Sequence, residues 1–596
     1  MRTLIKRSND LNHKMLHSLL RKSEISYAVS DLTKSIGPII DMLFISQFIG
    51  ADGVAAVGYV SPLIVMLELI GSGIASGARI KISPLLGSGK LDDASHLFSG
   101  SLIIGGGVSF LAAVLIFIFC PGITAILGAI DPGISEMTMQ YIYGYIIGYP
   151  FFALLRILTP YLQMEGQFSM VNTSSFLITA IDISADAFVI FALHGGMFEI
   201  GLATSIGYLV PFIVIVSFFW RRKKHSAFHF SFKGINASQC FDLIRLGAPA
   251  GIVKGSSALG GTFINNILTA CNVPYLVAAY SVFSQITVFI RSSWYAPADS
   301  LQYFSGVFIG EEDRNSLKEL QKTALIQALI YTSSVTLFLL LFARPIAAFI
   351  LKTDNAEVLQ MSTECIQISA LSLPFHSVIY NFSNYLVTVK KLRFNCIYCF
   401  LVNCGCLVPI TWYMVHFLGY HGVWIARIVS MMVVSLIAVI YIYKSKHGIA
   451  FSDKMLLLPD SFGVSSESEI TVEETTPDEV VRLLDIAINF ASTHGADYDR
   501  AKTFGLIVEE LAIVLAEHCF TDSKPHNINL RLVAKDDDLI IRMRDDCKPF
   551  NVKEYYEIIN ESTERGNELG LPIIMEMPKS IEYTSTFGAN NLIVKV

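Results

Sequence analysis

The sequence predicts an all-α polytopic membrane protein, with twelve transmembrane helices in two pseudo-symmetric lobes of six, followed by a C-terminal α/β two-layer sandwich. Three observations predict it. Apolar residues make up 53% of the 596 and charged residues only 16%, with a mean hydropathy of +0.53, whereas water-soluble domains carry about 45–50% and about 25%. Charge is also divided unevenly: residues 1–450 hold 30 Lys and Arg against 23 Asp and Glu, and residues 451–596 hold 14 against 27. The formal net charge of −6 therefore sums a basic apolar part and an acidic part of ordinary composition. Finally, the apolar part matches itself at an offset of 223 residues. Together these exclude a water-soluble enzyme, a nucleic-acid-binding arm and a disulfide-rich secreted module.

The first element, 1–24, is polar and basic (Arg2, Lys6, Arg7, Lys14, Arg21, Lys22). It lacks the short apolar core and small-residue cleavage site of a signal peptide, so it is expected to stay in the cytoplasm. Runs of about 20 apolar residues, enough to cross about 30 Å of hydrocarbon, occupy 25–49, 54–77, 97–119, 138–160, 170–193 and 199–220. A second six occupy 243–270, 275–300, 323–343, 363–388, 395–417 and 420–443. The lobes are thus 25–220 and 243–445, joined by a basic loop, 221–242. Lys and Arg concentrate in alternate connections (Arg79, Lys81, Lys90; Arg221 to Lys224; Lys390, Lys391, Arg393; Lys444, Lys446), and only Arg344 and Lys352 break the pattern. By the positive-inside rule both termini are cytoplasmic. The cysteines of "CIYCFLVNCGC" (Cys396, Cys399, Cys404, Cys406) have no His or carboxylate beside them and read as small packing residues, not as a metal site.

The repeat aligns Gly37 with Gly260, Ala55 with Ala278, Ser61 with Ser284, Gly87 with Gly310, Asn172 with Asn395 and Gly196 with Gly419. Each half has an even number of spans, so the halves point the same way around an axis along the membrane normal, with a site between or inside them. The run "GPIIDMLFISQFIGADGVAAVGYVSPLIVMLELIGSGIASGARIKISPLLGSGKLDDA" (37–94), its echo at 247–320 and "GMFEIGLATSIG" (196–207) resemble multidrug and toxic compound extrusion (MATE) transporters. The resemblance covers about 25–445. It implies two six-helix lobes that alternate access and export organic, often cationic, solutes in exchange for H+ or Na+.

Ionisable residues at bilayer depth are functional candidates by default. Asp41 lies 16 residues into the first span, and Asp182 and Asp186 lie 12 and 16 residues into the fifth. At about 1.5 Å per residue all three reach the outer half, and Thr204, early in the sixth span, shares that depth. Asp182 and Asp186 are four apart and share a helical face. Two carboxylates there cannot both ionise cheaply, so the pair is expected to share a proton and titrate as a unit. The resemblance implies a coupling role for Asp41 and Asp186, whereas Asp182 stands where the family usually has Asn. The acidic residue that the Na+-coupled branch carries eight positions after Pro249 is Ser257 here, which favours protons. Under the 223 offset Glu68 falls opposite Arg291, and Asp31 opposite Lys254, which predicts a gating pair between Glu68 and Arg291, with Lys254, across the lobe interface.

The linker, 446–474, contains the turn-prone "PDSFGVSSESE", and a folded domain follows at 475–596. There "DRAKTFGLIVEELAIVLAEHCF" has helical periodicity, and "INLRLVAKDDDLIIRMRDD" reads as two strands around a polar turn. The order resembles the histidine-kinase-like ATPase fold, closest to anti-sigma-factor serine kinases. That resemblance implies Glu510 as general base, Asp545 as adenine ligand, and Gly566 with Gly570 beside the phosphates. Three departures count against catalysis: Val514 replaces the magnesium-holding Asn, and Cys547 and Glu568 replace glycines. The sequence thus reads as a bacterial inner-membrane exporter of organic cations, driven by the proton gradient and needing no bound cofactor. It is not an enzyme, its ATP binding is doubtful, and its tail serves regulation or a cytoplasmic protein partner, not a nucleic acid. The rivals are a lipid-linked saccharide flippase and a membrane-anchored signalling kinase.

Overall fold

A computed structural model of the chain describes residues 2–129, 131–222, 226–230, 237–351, 355–445, 451–464, 468–474, 482–519, 528–535, 537–561, 570–586 and 588–596. The first half of the membrane part comprises α1 (Arg2–Phe48), α2 (Ala51–Gly87), α3 (Leu91–Ile126), α4 (Pro132–Met164), α5 (Phe168–Phe188, extended by a π-helical turn over Val189–Leu193) and α6 (Met197–Arg221). The second half comprises α7 (Ala237–Ala270), α8 (Leu276–Ile290), α9 (Ser292–Gly310), α10 (Arg314–Leu351), α11 (Ala356–Ala370) and α12 (Leu373–Thr388). It continues with α13 (Leu392–Phe400, followed by a π-helical turn over Leu401–Gly405), α14 (Leu407–Leu418) and α15 (His421–Tyr443). Local chemistry sets several starts. The Asp131 carboxylate accepts from the amides of Gly133 (2.9 Å) and Ile134 (3.2 Å) ahead of α4, and Asn355 caps α11 in the same way.

Among the described residues eight helical segments are long and apolar enough to cross a membrane: α2 to α6, α10, the α13–α14 run and α15. The chain is a multi-pass membrane protein. The other four expected spans lie on helices that fall below that measure, for identifiable reasons. α1 carries Asp31, Lys34 and Asp41 within its apolar stretch, and α7 carries Arg245 and Lys254. The runs expected at 275–300 and 363–388 are each broken, at Arg291 between α8 and α9 and at Leu371–Ser372 ahead of Pro374.

A shift of 223 residues carries helix ends onto helix ends. Ala51–Gly87 falls on Leu276–Gly310, Leu91–Ile126 on Arg314–Leu351, Pro132–Met164 on Ala356–Thr388, Phe168–Leu193 on Leu392–Leu418, and Met197–Arg221 on His421–Tyr443. The agreement is as close as helix ends can be assigned. Lipid provides no hydrophobic drive between helices, so small residues and hydrogen bonds hold them. Ser26 and Ser30 on α1 bond Asn172 (2.9 Å) and Ser175 (2.6 Å) on α5, and the Thr179 hydroxyl donates to the Thr33 carbonyl (3.0 Å).

The two halves meet along α2, which packs on α7 and α9. A Cβ on Gly77 would collide with the Leu243 carbonyl, and one on Gly247 with that of Gly73, so backbone touches backbone there. Farther along the same two helices, Gly58, Gly255 and Gly261 have nothing within 4 Å. The halves are therefore sealed backbone to backbone at the end where α2 finishes, and beyond the Glu68–Lys254 level these helices have open space beside their glycines.

The C-terminal part contains α16 (Phe451–Met455), β1 (Glu469–Glu474), α17 (Leu483–Thr493), α18 (Tyr498–Cys519), β2 (Ile528–Lys535) and β3 (Asp538–Asp545). It ends with α19 (Val552–Glu561), α20 (Gly570–Glu576), β4 (Ser580–Thr586) and β5 (Ala589–Lys595). The strands form one antiparallel sheet in the order β1-β2-β3-β5-β4, with Leu532 opposite Ile541 and Met543 opposite Leu592. Strand side chains alternate between faces. Leu530, Leu532, Ile541, Met543, Leu592 and Val594 point to one side and are buried with Phe490, Phe504 and Leu511 of α17 and α18. On the opposite face, Arg531, Arg542 and Arg544 reach the sealed end of the membrane helices.

Candidate functional site

The bonds between α1 and α5 set Asp41 against the two carboxyls of α5. The carboxyl of Asp41 meets those of Asp182 and Asp186, and the Thr204 hydroxyl of α6 lies against Asp182. Small residues allow the approach: a Cβ on Gly37 would sit 3.3 Å from Asp182 Oδ2, and one on Gly207 3.2 Å from its Cβ. Asp186 is wholly buried and Asp182 nearly so. Asp41 Oδ1, Asp182 Oδ1 and both oxygens of Asp186 find no N–H or O–H donor among the described residues. Buried oxygens of this kind are costly unless something supplies a hydrogen bond or a cation, and two carboxyls in contact need a proton between them. The structure thus brings together all four residues proposed for the coupling site. It adds Tyr141 of α4 and Tyr208 of α6, which lie near the acids, and Tyr145 between them, with ring centroids 6.2 Å (Tyr141 to Tyr145) and 6.1 Å (Tyr145 to Tyr208) apart. Their signal was in the sequence: Tyr141 and Tyr145 are one turn apart, and Tyr208 is one turn beyond Thr204. A π-helical turn follows Asp186 within three residues, a distortion often found beside functional groups.

The charges between the halves are paired differently from expectation. Glu68 does not meet Arg291. Its partners are Arg156 Nη2 of its own half (2.9 Å) and Lys254 of the other, while Arg291 holds Asp31 with two bonds of 3.0 and 2.9 Å. Two-fold relationships explain the correction. In such an interface residue i touches j and j touches i, so the equivalent positions Glu68 and Arg291 do not face each other; Glu68 meets Lys254 and Arg291 meets Asp31, which are themselves equivalent positions. The same contact is thereby made twice with its sign reversed. Arg79 adds a 3.8 Å pair with Asp299 and a 3.4 Å bond to Tyr303. Lys34 lies near Arg156, Asp31 and Glu68, so with Lys254 and Arg291 four cations gather around two carboxylates, and Arg156 and Lys254 are each more than a third exposed.

A charge exchange tests this pairing. Asp31→Arg or Arg291→Asp alone should destabilise the protein by less than the roughly 3–5 kcal/mol of a fully buried pair, because Arg291 is 39% exposed. The double exchange should regain part of the loss in thermal unfolding, whereas Glu68→Arg with Arg291→Glu should regain none.

In the tail, the Glu510 carboxylate lies directly against Gly570. Burial, then the neighbouring Glu509 and Glu517, push it above its ordinary value. Asp545 is almost wholly buried, and its Oδ1 accepts from Asn590 Nδ2 (2.6 Å) and the Cys547 amide (3.0 Å). Val514 belongs to the apolar core beneath the sheet. Gly566 and Glu568 lie outside the described residues.

The MatE family model matches residues 27–186 and 260–413, which includes Asp41, Asp182 and Glu68 and ends before the sheet domain. The chain is 22% identical over 334 residues to the probable multidrug resistance protein YoeA of Bacillus subtilis, covering 54% of this chain and 71% of that protein. It is 23% identical over 321 residues to the FAD transporter of Shewanella oneidensis, covering 52% and 69%. In three dimensions it resembles the MATE transporter VcmN of Vibrio cholerae in its bent form, with a TM-score of 0.68 at 20% identity, covering 74% of this chain and 98% of that one.

Proposed function

Because the chain belongs to the MatE family, we propose that it is a secondary exporter of organic solutes, coupled to the inward return of protons through Asp41, Asp182 and Asp186. The observation that carries this reading is the cluster itself: the buried carboxyls of Asp182 and Asp186 in contact with half-buried Asp41, with four of their oxygens lacking a donor among the described residues. Such a group accepts and releases a proton as its surroundings change, with Thr204, Tyr141 and Tyr208 as hydroxyl neighbours. On this reading α1 to α15 make twelve crossings in two lobes, the tail side faces the cytoplasm of a bacterial inner membrane, and both termini lie there. The cleft between the lobes takes solute from one side at a time. The deciding experiment is substrate-driven proton movement in liposomes containing the purified full-length protein, with a panel of cationic, neutral and anionic solutes. A panel in which no solute moves protons would overturn the proposal.

Organic cations are the first class to try, given the acidic cluster and the family's multidrug members. A second reading has its own observation. Lys34, Arg156, Lys254 and Arg291 gather around the two carboxylates Asp31 and Glu68 at the base of the cleft, an excess of cations that suits an anionic head group and revives the flippase or anion-exporter alternative. Cations and anions in the same panel separate the two.

The tail is read as a regulatory domain without catalysis. Phosphoryl transfer needs Mg2+ bridging the phosphates, and Val514, buried at the position where the kinases place the metal-holding Asn, offers no ligand atom. The full-length protein should show no magnesium-dependent ATP turnover, and removal of residues 465–596 should leave proton-driven export measurable. ATP turnover, or loss of export on deletion, would count against this assignment.

A further inference from the structure

The sheet's basic face rests on both halves at once, at positions the duplication makes equivalent. On the second half it meets "EED" (311–313), directly after α9. Arg531 donates to the carbonyls of Glu311 (3.2 Å) and Glu312 (3.3 Å), lies 3.8 Å from Asp313 Oδ2, and is also held by Glu469 (2.7 Å). Lys535 pairs with Glu312 and Arg544 with Glu311, each at 2.6 Å, and the Arg544 guanidinium lies 5.3 Å from the ring centre of Phe308. On the first half the sheet meets "SGK" (88–90) and the end of α2. Arg542 donates to the Gly87 carbonyl at 3.3 Å, and the Glu582 carboxylate lies where a Cβ on Gly89 would be. Carbonyls at helix ends attract cations by their unpaired lone pairs and the helix dipole.

The two attachments differ in strength. The second half supplies three carboxylates where the first supplies none. The linker adds to the same side: Tyr385 donates to the Leu456 carbonyl (2.7 Å), and Arg314 and Lys318 both hold Asp453. The domain is therefore held by charge mainly on the second half; it reaches the first through Arg542, Glu582 and the start of α1, whose Met15, Leu16 and Leu19 share a hollow with Arg544, Thr586 and Ala589 of the sheet. It spans the joint where Gly87 of α2 abuts Val307 of α9.

We propose that the C-terminal domain is a latch, hinged on 311–313 and caught on 87–89, which holds the two halves together on the tail side and restrains the opening through which solute enters. This rests on the exporter reading, in which the halves must part on that side once in each cycle. Its trigger would be anything that loosens the catch while the hinge holds.

The test uses full-length protein in liposomes, with spin labels at Asp93 on the first half and Lys391 on the second, both exposed near the sealed end. The unmodified catch should give one short distance. Arg542→Glu should add a population at longer distance and raise the initial rate of solute uptake from the tail side. Lys535→Glu should do so more weakly and be restored by Glu312→Lys in the same protein, which guards against misfolding as the cause. Distances unchanged by Arg542→Glu, or a Lys535→Glu effect that Glu312→Lys leaves in place, would overturn the latch. Because distance is read apart from transport, longer distances with no solute movement in any variant would support the latch and count against the exporter reading instead.

Discussion

Asp186→Asn is expected to reduce proton-driven export to the level of empty liposomes while the protein still inserts and folds. The residue is wholly buried and neither of its oxygens has a donor among the described residues. The amide has nearly the same shape, so packing changes little. It brings its own N–H groups, however, and can satisfy Asp41 permanently. A site that lent its oxygens to a transferable proton would then hold a fixed hydrogen bond. Asp41→Asn should act alike, because Asp41 touches both partners. The measurement is solute movement driven by an imposed pH difference, at matched expression and unfolding temperature. Full export by either variant would remove these acids from the coupling step.

Replacing Gly77 or Gly247 should have a comparably large effect by another route. A Cβ at either position would overlap a backbone carbonyl of the facing helix, Leu243 in one case and Gly73 in the other. Side chains can rotate away from such an overlap; a carbonyl within a helix cannot. Overpacking typically costs about 1–3 kcal/mol, and here the relief available is separation of the two halves. Gly77→Leu and Gly247→Leu should therefore prevent the sealed arrangement, lengthen the distance between Asp93 and Lys391, and stop transport. Gly255→Ala and Gly261→Ala supply the contrast. Nothing lies within 4 Å of these glycines, and alanine favours the helix by about 1 kcal/mol, so both should be tolerated. Equal loss in all four would show that these helices tolerate no change at glycine whatever lies opposite, and the seal would lose its support.

The sequence was informative where one element carries the signal. The places of the long apolar helices, the 223-residue repeat and the acids of α1 and α5 follow from hydropathy and depth along the chain, whereas the lengths do not: α2, at 37 residues, and α10, at 38, run well past the apolar stretches that mark them. Pairing across the interface did not follow. The repeat says which positions are equivalent, and Glu68 and Arg291 are, but equivalence around an axis is not contact. The breaks at Arg291 and Leu371 were likewise hidden, because a hydropathy window averages across a discontinuity. The docking face of the sheet was half visible. Arg531 and Lys535, and Arg542 with Arg544, alternate with buried apolar residues, so one basic face was there to be found. What concealed it was the tail's excess of acids, a sum over all surfaces that says nothing about any one of them. Its partner, "GEED" at 310–313, lies far away in sequence.

The reversed sign of the two interface pairs has a consequence for ancestry. Asp31 and Glu68 both belong to the first half, and Arg291 and Lys254 both belong to the second. Two copies of the first half, docked as the present halves are, would set four carboxylates against one another, and two copies of the second would set four cations. Either self-association is penalised, and only the mixed arrangement neutralises itself, in the way that designed heterodimers exclude their homodimers. An ancestor that paired with a copy of itself could not have carried these four charges as they stand, because they make each half the charge complement of the other. The two have become distinct subunits that happen to share one chain.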